Sequence, residues 1–339
     1  MNIIRPARIE DIDGLYSLSL KTGPGLTTLP SDRDLLEEKV EKSLASFVDG
    51  VSVPGLEYYL FILEDTETGT IAGTSALAAT VGLEEAFYTY HLGTTVHTSP
   101  HLNVHNVINT LYLCNDYTGV SEICTLFLDP AFRKDGNGSL LSRCRFMFAA
   151  MHMKRFAPKI IAELRGVSDE SGHSPFWDAL GSHFFSMSFL EADALSGEGR
   201  NQFIAELMPK YPIYLPLLSD DAIDVIGQVH PNTRPAMAML QKEGFEYKNY
   251  VDIFDAGPTV EVQTSQLKTI KESSNYRVKL THDIHEPTNY MVSNSRVAGF
   301  RCAYVNAKQE NEELILTIND AKQLGVDEGD TIRAYATGK

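Results

Sequence analysis

Residues 121–154 constrain the fold more than any other stretch. Residues 121–128, Ser-Glu-Ile-Cys-Thr-Leu-Phe-Leu, are apolar and β-prone and read as a buried strand. Asp129-Pro130 ends that strand, and Arg133-Lys134-Asp135-Gly136-Asn137-Gly138 follows as a tight loop. Beyond Ser139, Leu140, Leu141, Cys144, Met147 and Phe148 recur at helical spacing. A strand, a glycine loop and a helix in succession point to an α/β protein with helices covering a sheet. The loop also carries chemistry. Glycine lets backbone approach an anion closely, and a helix N-terminus directs N–H groups and partial positive charge at it. Arg133 and Lys134 add charge suited to phosphates. Ordinary strand-to-helix turns share the Arg-x-x-Gly-x-Gly pattern, so the flanking elements must decide between the two.

The flanks continue the α/β alternation. Residues 2–8 read as a short strand, and Asp11 is placed to cap a helix. Residues 21–30 hold two glycines and two prolines, which makes a shaped loop. Residues 31–47 read as a helix with Leu35, Leu36, Val40 and Leu44 on one side. Residues 58–63 and 70–80 form a hairpin around the polar turn 64–69. Residues 84–110 show no clean period and read as an insertion. A strand at 159–166 and a helix at 173–180 follow, then a strand-like 224–229, a turn at 230–235, a helix at 236–243 capped by Gly244, and a strand at 245–254. Residues 268–276 resemble a linker, and the remainder is β-rich with a short helix at 319–324. The expected division is an α/β region over 1–260 (core 1–190, second piece 200–255) and a C-terminal β-rich, barrel-like domain over 261–339.

Composition removes several function classes. Lys+Arg total 29 against 45 Asp+Glu, a net charge of −16, which argues against a nucleic-acid partner while leaving room for a local basic pocket. No apolar run approaches the ~20 residues of a membrane span, and the first residues lack a signal-peptide core. Cys114, Cys124, Cys144 and Cys302 are scattered, without a Cys-x-x-Cys pair, as expected of reduced thiols in a cytoplasmic protein. His97, His101 and His105 have i,i+4 spacing, but Pro100 interrupts any helix through them, and no metal is expected. Trp177, Phe184 and Phe185 read as core.

The opening Ile4-Arg5-Pro6-Ala7 with Asp11 and Leu15 resembles the start of the GNAT acyltransferase superfamily. The hairpin, the strand at 122–128 and the loop Arg133-x-x-Gly136-x-Gly138 are similar to its central strands and acyl-CoA pyrophosphate loop. Longer segments resemble the arginine N-succinyltransferase family: 21–30 (KTGPGLTTLP), 122–130 (EICTLFLDP), 166–177 (GVSDESGHSPFW) and 227–231 (GQVHP).

This resemblance implies a GNAT-like fold with a mixed twisted sheet. It also implies succinyl transfer from succinyl-CoA to the α-amine of L-arginine, the first step of an arginine-degrading route. It carries over a CoA contact at Leu126 and makes His230 the proton-transfer residue, with Arg133, Lys134, Gly136 and Gly138 at the cofactor loop. An arginine substrate calls for carboxylates around its guanidinium and a cation for its α-carboxylate. Glu163, Asp169 and Glu170 are candidates for the first and Arg165 for the second. The succinyl carboxylate could meet Lys21, Arg8 or the Asn115-Asp116 region. Succinyl-CoA is then a co-substrate, with no permanently bound cofactor, and a homo-oligomer is possible. Two other readings stay open. One is acetyl-CoA-dependent acetylation of another amine; the other is a non-catalytic CoA- or arginine-binding module.

Overall fold

Strand β1 (Asn2–Pro6) joins the two halves of the molecule, pairing with β-strands from opposite ends of the chain. The structure, a computed structural model, describes residues 1–22, 26–169, 171–197 and 202–337. Helix α1 (Ile12–Ser19) follows β1, but the Asp11 side chain does not cap it. Its carboxylate accepts two bonds from the Arg5 guanidinium, at 2.7 and 2.8 Å, and the Arg8 N–H at 2.7 Å. A buried bidentate ion pair outweighs a cap worth ~1 kcal/mol. Helix α2 (Arg33–Ser46) is capped by Asp32. Its inner face is Leu36, Val40 and Ser43, whereas Leu44, expected inside, is exposed.

Strands β2 (Tyr58–Asp65) and β3 (Thr70–Ala78) form the expected hairpin. Residues 84–110 are not an irregular insertion. They supply most of β4 (Thr89–Ser99) and β5 (Val104–Cys114), which pair in unbroken register as a long ribbon. The outer part of the ribbon is largely solvent-exposed, so no core imposes the alternation that marks a strand. Next come β6 (Ser121–Leu128), α3 (Asn137–Met151) and β7 (Lys159–Glu163), in the expected order.

Helix α4 (Pro175–Ala179) buries Phe176 and Trp177. Trp177 stacks on Phe185, while Phe184 is 42% exposed and is not core. Helices α5 (Phe189–Gly197) and α6 (Gln202–Leu207), the short strand β8 (Ile213–Tyr214) and α7 (Asp220–Val225) follow. The strand expected at 224–229 is absent. Ser219 caps α7, which runs to Val225, and Gly227 then turns the chain at φ +72°. Helix α8 (Arg234–Glu243) ends at Gly244, φ +101°, as expected, and β9 (Glu246–Val251) and β10 (Pro258–Gln263) follow. The expected linker at 268–276 is instead α9 (Lys268–Glu272) and the start of β11 (Ser274–Thr281). Thr269 is buried there and bonds to Glu243 through both its N–H and its hydroxyl. The chain closes with β12 (Thr288–Asn294), β13 (Cys302–Glu310), β14 (Glu313–Thr317), α10 (Ile318–Leu324) and β15 (Thr331–Ala336).

The strand order is β12-β15-β11-β14-β13-β1-β2-β3-β6-β7-β10-β9-β4-β5-β8. An added β12–β13 pairing closes β11–β15 into a barrel. Helices α1 and α2 bury Leu15, Leu36 and Val40 against Leu60, Ile62 and Phe127. The apolar side of α3 belongs to a second cluster with Phe61, Phe148, Phe245 and Phe300. Ile4 sits in that cluster and its neighbour Ile3 in the barrel core. The result is a mixed-sheet α/β fold with a C-terminal barrel, as expected from the sequence. All four cysteines are free thiols, and no helix among the described residues is long and apolar enough to cross a membrane.

Candidate active site

Strand β6 runs parallel to β7 but pairs with it only at Ser121↔Ile160 and Glu122↔Ile161. Beyond Glu122 the two strands part, and the β7-facing edge of β6 is open as far as Leu128. On its other edge β6 pairs with β3, but Thr74 meets Phe127 and Ala76 meets Cys124, so Thr125 and Leu126 bulge opposite Ser75. Thr125 has φ +54°, a conformation that costs a β-branched residue about 1–3 kcal/mol. The Tyr58 hydroxyl pairs with Thr125 Oγ1 at 2.7 Å, and Arg145 of α3 reaches the Cys124 carbonyl at 3.4 Å. Leu126 therefore lies in the splayed half of β6, where its backbone is free of β7. The apolar run gave the strand but held no signal for this bulge.

The glycine loop leads from the end of this open edge into α3. Gly136 is the N-cap residue at φ +77°, and a Cβ there would stand 3.2 Å from the Tyr304 ring. Gly138 has only Leu128 nearby, at 3.8 Å. Buried Asn137 pins the loop by donating to the Phe132 carbonyl and accepting from Asn2. Arg133 donates from Nε to the Leu128 carbonyl at 3.2 Å, and both it and Lys134 are exposed. A cavity of about 280 Å³ continues between α3 and α8, lined in part by Ser139, Arg143 and Lys242. Lys21 reaches the same end of β6 and pairs with Asp129 at 2.6 Å.

His230 does not follow a strand; it precedes the single turn Pro231–Thr233 that leads into α8. Its N–H donates to the Arg165 carbonyl at 2.9 Å, beyond the end of β7. Its Nδ1 accepts the Asn232 N–H at 3.2 Å, which places the proton of the neutral ring on Nε2. Burial and the Arg165 charge hold its pKa below the usual value, opposed by a Ser168 backbone hydrogen bond.

Carboxyl groups gather on the same side. Glu163 ends β7, and Asp252 and Asp255 lie in the β9–β10 turn that packs against it. Asp255 accepts the Gly166 and Gly257 N–H groups at 2.7 and 2.8 Å and locks the two loops together. Asp252 Oδ1 accepts the Phe254 and Asp255 N–H groups. Burial, then the charge of Asp252, pushes the Glu163 and Asp255 carboxyls well up, and burial raises Asp252 as well. Burial also lifts Glu122 and Asp193 to about 7. Arg165 donates to Ser168 Oγ at 2.7 Å but forms no carboxylate pair among the described residues.

Arg165 and His230 are thus brought together, while Glu163, two residues back at the end of β7, lies among the carboxyls. Asp169 is spent on its own turn, accepting the Ser171 and His173 N–H groups, and Glu170 lies outside the described residues. The reading of the sequence missed Asp252, Asp255 and Glu122. The only local sign of the first two is Asp-x-x-Asp-x-Gly257, a turn pattern. Among the described residues no group of three or more His, Cys, Asp or Glu is arranged to hold a metal.

Comparison with known proteins fits this geometry. The family described as arginine N-succinyltransferase beta subunit matches residues 2–269, and its C-terminal domain matches 275–336. The arginine N-succinyltransferase of Escherichia fergusonii is 48% identical over 334 residues, 98% of this chain and 97% of that protein. That of Enterobacter sp. (strain 638) is 47% identical over 336 residues, again covering 98% and 97%. The solved structure of arginine/ornithine succinyltransferase subunit AI from Pseudomonas aeruginosa superposes with a TM-score of 0.91 at 38% identity, covering 100% of this chain and 99% of that one. From the splayed strands and glycine loop to the C-terminal barrel, the chain belongs to the arginine N-succinyltransferase family.

Proposed function

We propose that the chain transfers the succinyl group of succinyl-CoA to the α-amine of L-arginine, with His230 moving the proton. The observation that carries this reading is the open slot between β6 and β7, with the glycine loop at the end of one wall and His230 beyond the end of the other. An extended pantetheine arm can pair with the free backbone edge around Leu126. The pyrophosphate then rests on Gly136 and Gly138 between Arg133 and Lys134. Lys21, held by Asp129 at the end of β6, is the cation assigned to the succinyl carboxylate.

The chemistry follows from what each group can do near neutrality. The arginine α-amine has a pKa near ~8 and the guanidinium one above ~12, so only the amine can be freed as a nucleophile. It attacks the thioester carbonyl, a C–N bond forms, and the oxygen gathers charge. A backbone N–H aimed at that oxygen contributes about 3 kcal/mol. The C–S bond then breaks and CoA leaves as a thiolate. His230, neutral near pH 7, takes a proton as the adduct forms and delivers it to the sulfur. Arg165, beside His230, is the cation for the α-carboxylate, and Glu163 faces the guanidinium. Succinyl-CoA is consumed as a substrate, and no resident cofactor is needed.

Free cysteines suit a reducing cytoplasm, where we place the enzyme. No Asp, Glu, Lys or Arg occurs from 92 to 109, the outer β4–β5 ribbon. That uncharged surface on a −16 chain supports a homo-oligomer. Residues 261–339 serve as a brace behind the glycine loop, where Tyr304 backs Gly136.

Thiol release tests the reaction, crossing succinyl-CoA and acetyl-CoA with arginine, ornithine and lysine. Turnover confined to succinyl-CoA and arginine is expected. Equal or faster turnover with acetyl-CoA would overturn the acyl assignment.

A further inference from the structure

Among the described residues, no cation acts on the Glu163 and Asp252 carboxyls beside the slot. Thr259 of β10 is the cross-strand partner of Glu163 on β7 and is 0% exposed. Thr259 Oγ1 and Glu163 Oε1 are both buried without a close hydrogen-bond partner, and the weak contact of the Thr259 hydroxyl with the Glu163 carboxyl lowers its pKa only slightly against the larger effect of burial. The Arg165 Nε is a third unpartnered buried atom, and that side chain turns to Ser168 instead of to a carboxylate. Asp252 reaches the same place from the β9–β10 turn, where its N–H donates to the Gly257 carbonyl at 2.8 Å. Asp255 is excluded, because both its oxygens serve the backbone.

Leaving buried acceptors unpaired is costly, and buried carboxylates are tolerated when they are paired. The missing partner is therefore a cation with several donors. A guanidinium offers five N–H groups in a rigid plane, whereas an ammonium offers three from one point. We infer that Glu163, Asp252 and Thr259 form the seat of the acceptor's guanidinium group and set the preference for arginine over shorter amines. This rests on the reading that arginine is the acceptor. It also orients the substrate. With the guanidinium on Glu163 and Asp252, Arg165, two residues on from Glu163, is left for the α-carboxylate. Burial raises the pKa of both carboxyls in the free protein, and a bound guanidinium would lower it again.

The test uses the full-length protein with Glu163→Gln, Asp252→Asn and Thr259→Val. Each keeps the shape, and Asn at 252 can still accept the two turn amides. Agmatine carries the guanidinium without a carboxylate, and norvaline carries the α-amino acid without a guanidinium. In E163Q and D252N the KM for arginine should rise at least tenfold, with a smaller rise in T259V. The KM for succinyl-CoA should stay within twofold. Agmatine inhibition should weaken in parallel while norvaline inhibition holds. An unchanged arginine KM, or equal weakening of both inhibitors, would overturn the seat. Agmatine binding by calorimetry separates the two claims. Wild-type binding that E163Q loses supports the seat even if arginine is never succinylated, whereas turnover without that difference supports the reaction and sinks the seat.

Discussion

The backbone N–H of His230 donates to the carbonyl of Arg165 at 2.9 Å, so the exit of β7 holds His230, the proposed proton-transfer residue, in place. The Arg165 side chain acts on the same imidazole through its charge. One residue therefore fixes where His230 sits and adds to the effect of burial on how readily it protonates.

These two effects can be separated. Arg165→Met keeps the carbonyl and removes the charge. Burial is the larger cause of the lowered His230 pKa and Arg165 the second. NMR titration of the ring should show its pKa below ~6.5 in the wild type and partly restored in the variant. An identical value in both proteins would show that Arg165 does not act on the ring.

His230→Ala should lower kcat by about 10²–10⁴-fold, the usual range for a positioned acid–base group. Calorimetric affinity for succinyl-CoA should change less than twofold, because the slot and the glycine loop are untouched. Near-normal turnover would remove His230 from the chemistry.

Gly136→Val places a branched side chain at φ +77°, with its Cβ 3.2 Å from the Tyr304 ring. The conformation alone costs about 1–3 kcal/mol. Succinyl-CoA binding should weaken at least tenfold while the arginine KM moves little. Unaltered affinity would place the pyrophosphate elsewhere.

The elements legible in the sequence were those packed against a core. Strand β6 alternates buried and half-buried along its length, and α8 ends at a glycine that adopts the left-handed conformation such a stop requires. The β4–β5 ribbon was not legible, because Val96, Val107 and their neighbours face solvent and nothing patterns them. Asp11 was read as a cap because local rules cannot foresee Arg5 and Glu64 converging from β1 and β2. Within the site, His230 and Leu126 came from extended resemblance. Asp252, in contrast, became visible only when the β9–β10 turn packed against β7.

The raised carboxyls have a signature in stability. Glu122 ionises at about 7 in the folded protein, mainly through burial, against ~4.3 unfolded. Its contribution to stability is fully present below the unfolded value and is lost as pH rises through about 7. Glu122→Gln removes that loss. The difference in Tm, variant minus wild type, should grow between pH 5 and pH 8 in thermal melts. A constant difference across that range would contradict a buried, titrating Glu122.

Glu243 ties three helices. It accepts from Arg143 of α3 at 2.7 Å and from the N–H and hydroxyl of Thr269 in α9, and it is 2% exposed at the end of α8. Glu243→Leu strands those donors and should cost about 3 kcal/mol in denaturant unfolding. A loss under ~0.5 kcal/mol would mean the network is decorative.

Strand β1 is the first strand to leave the ribosome and among the last to find all its neighbours. Its edge toward β13 is filled only when Cys302 comes opposite Ile4, and Ile3 waits for the barrel around it. At ~5–20 residues per second, synthesis of the intervening chain takes roughly 15–60 s. Through that interval the nascent sheet carries one unfilled edge, and a chain truncated before β13 would keep it permanently. The barrel thus acts as a terminal latch on synthesis: the enzyme becomes a closed structure only once its last strands have been made.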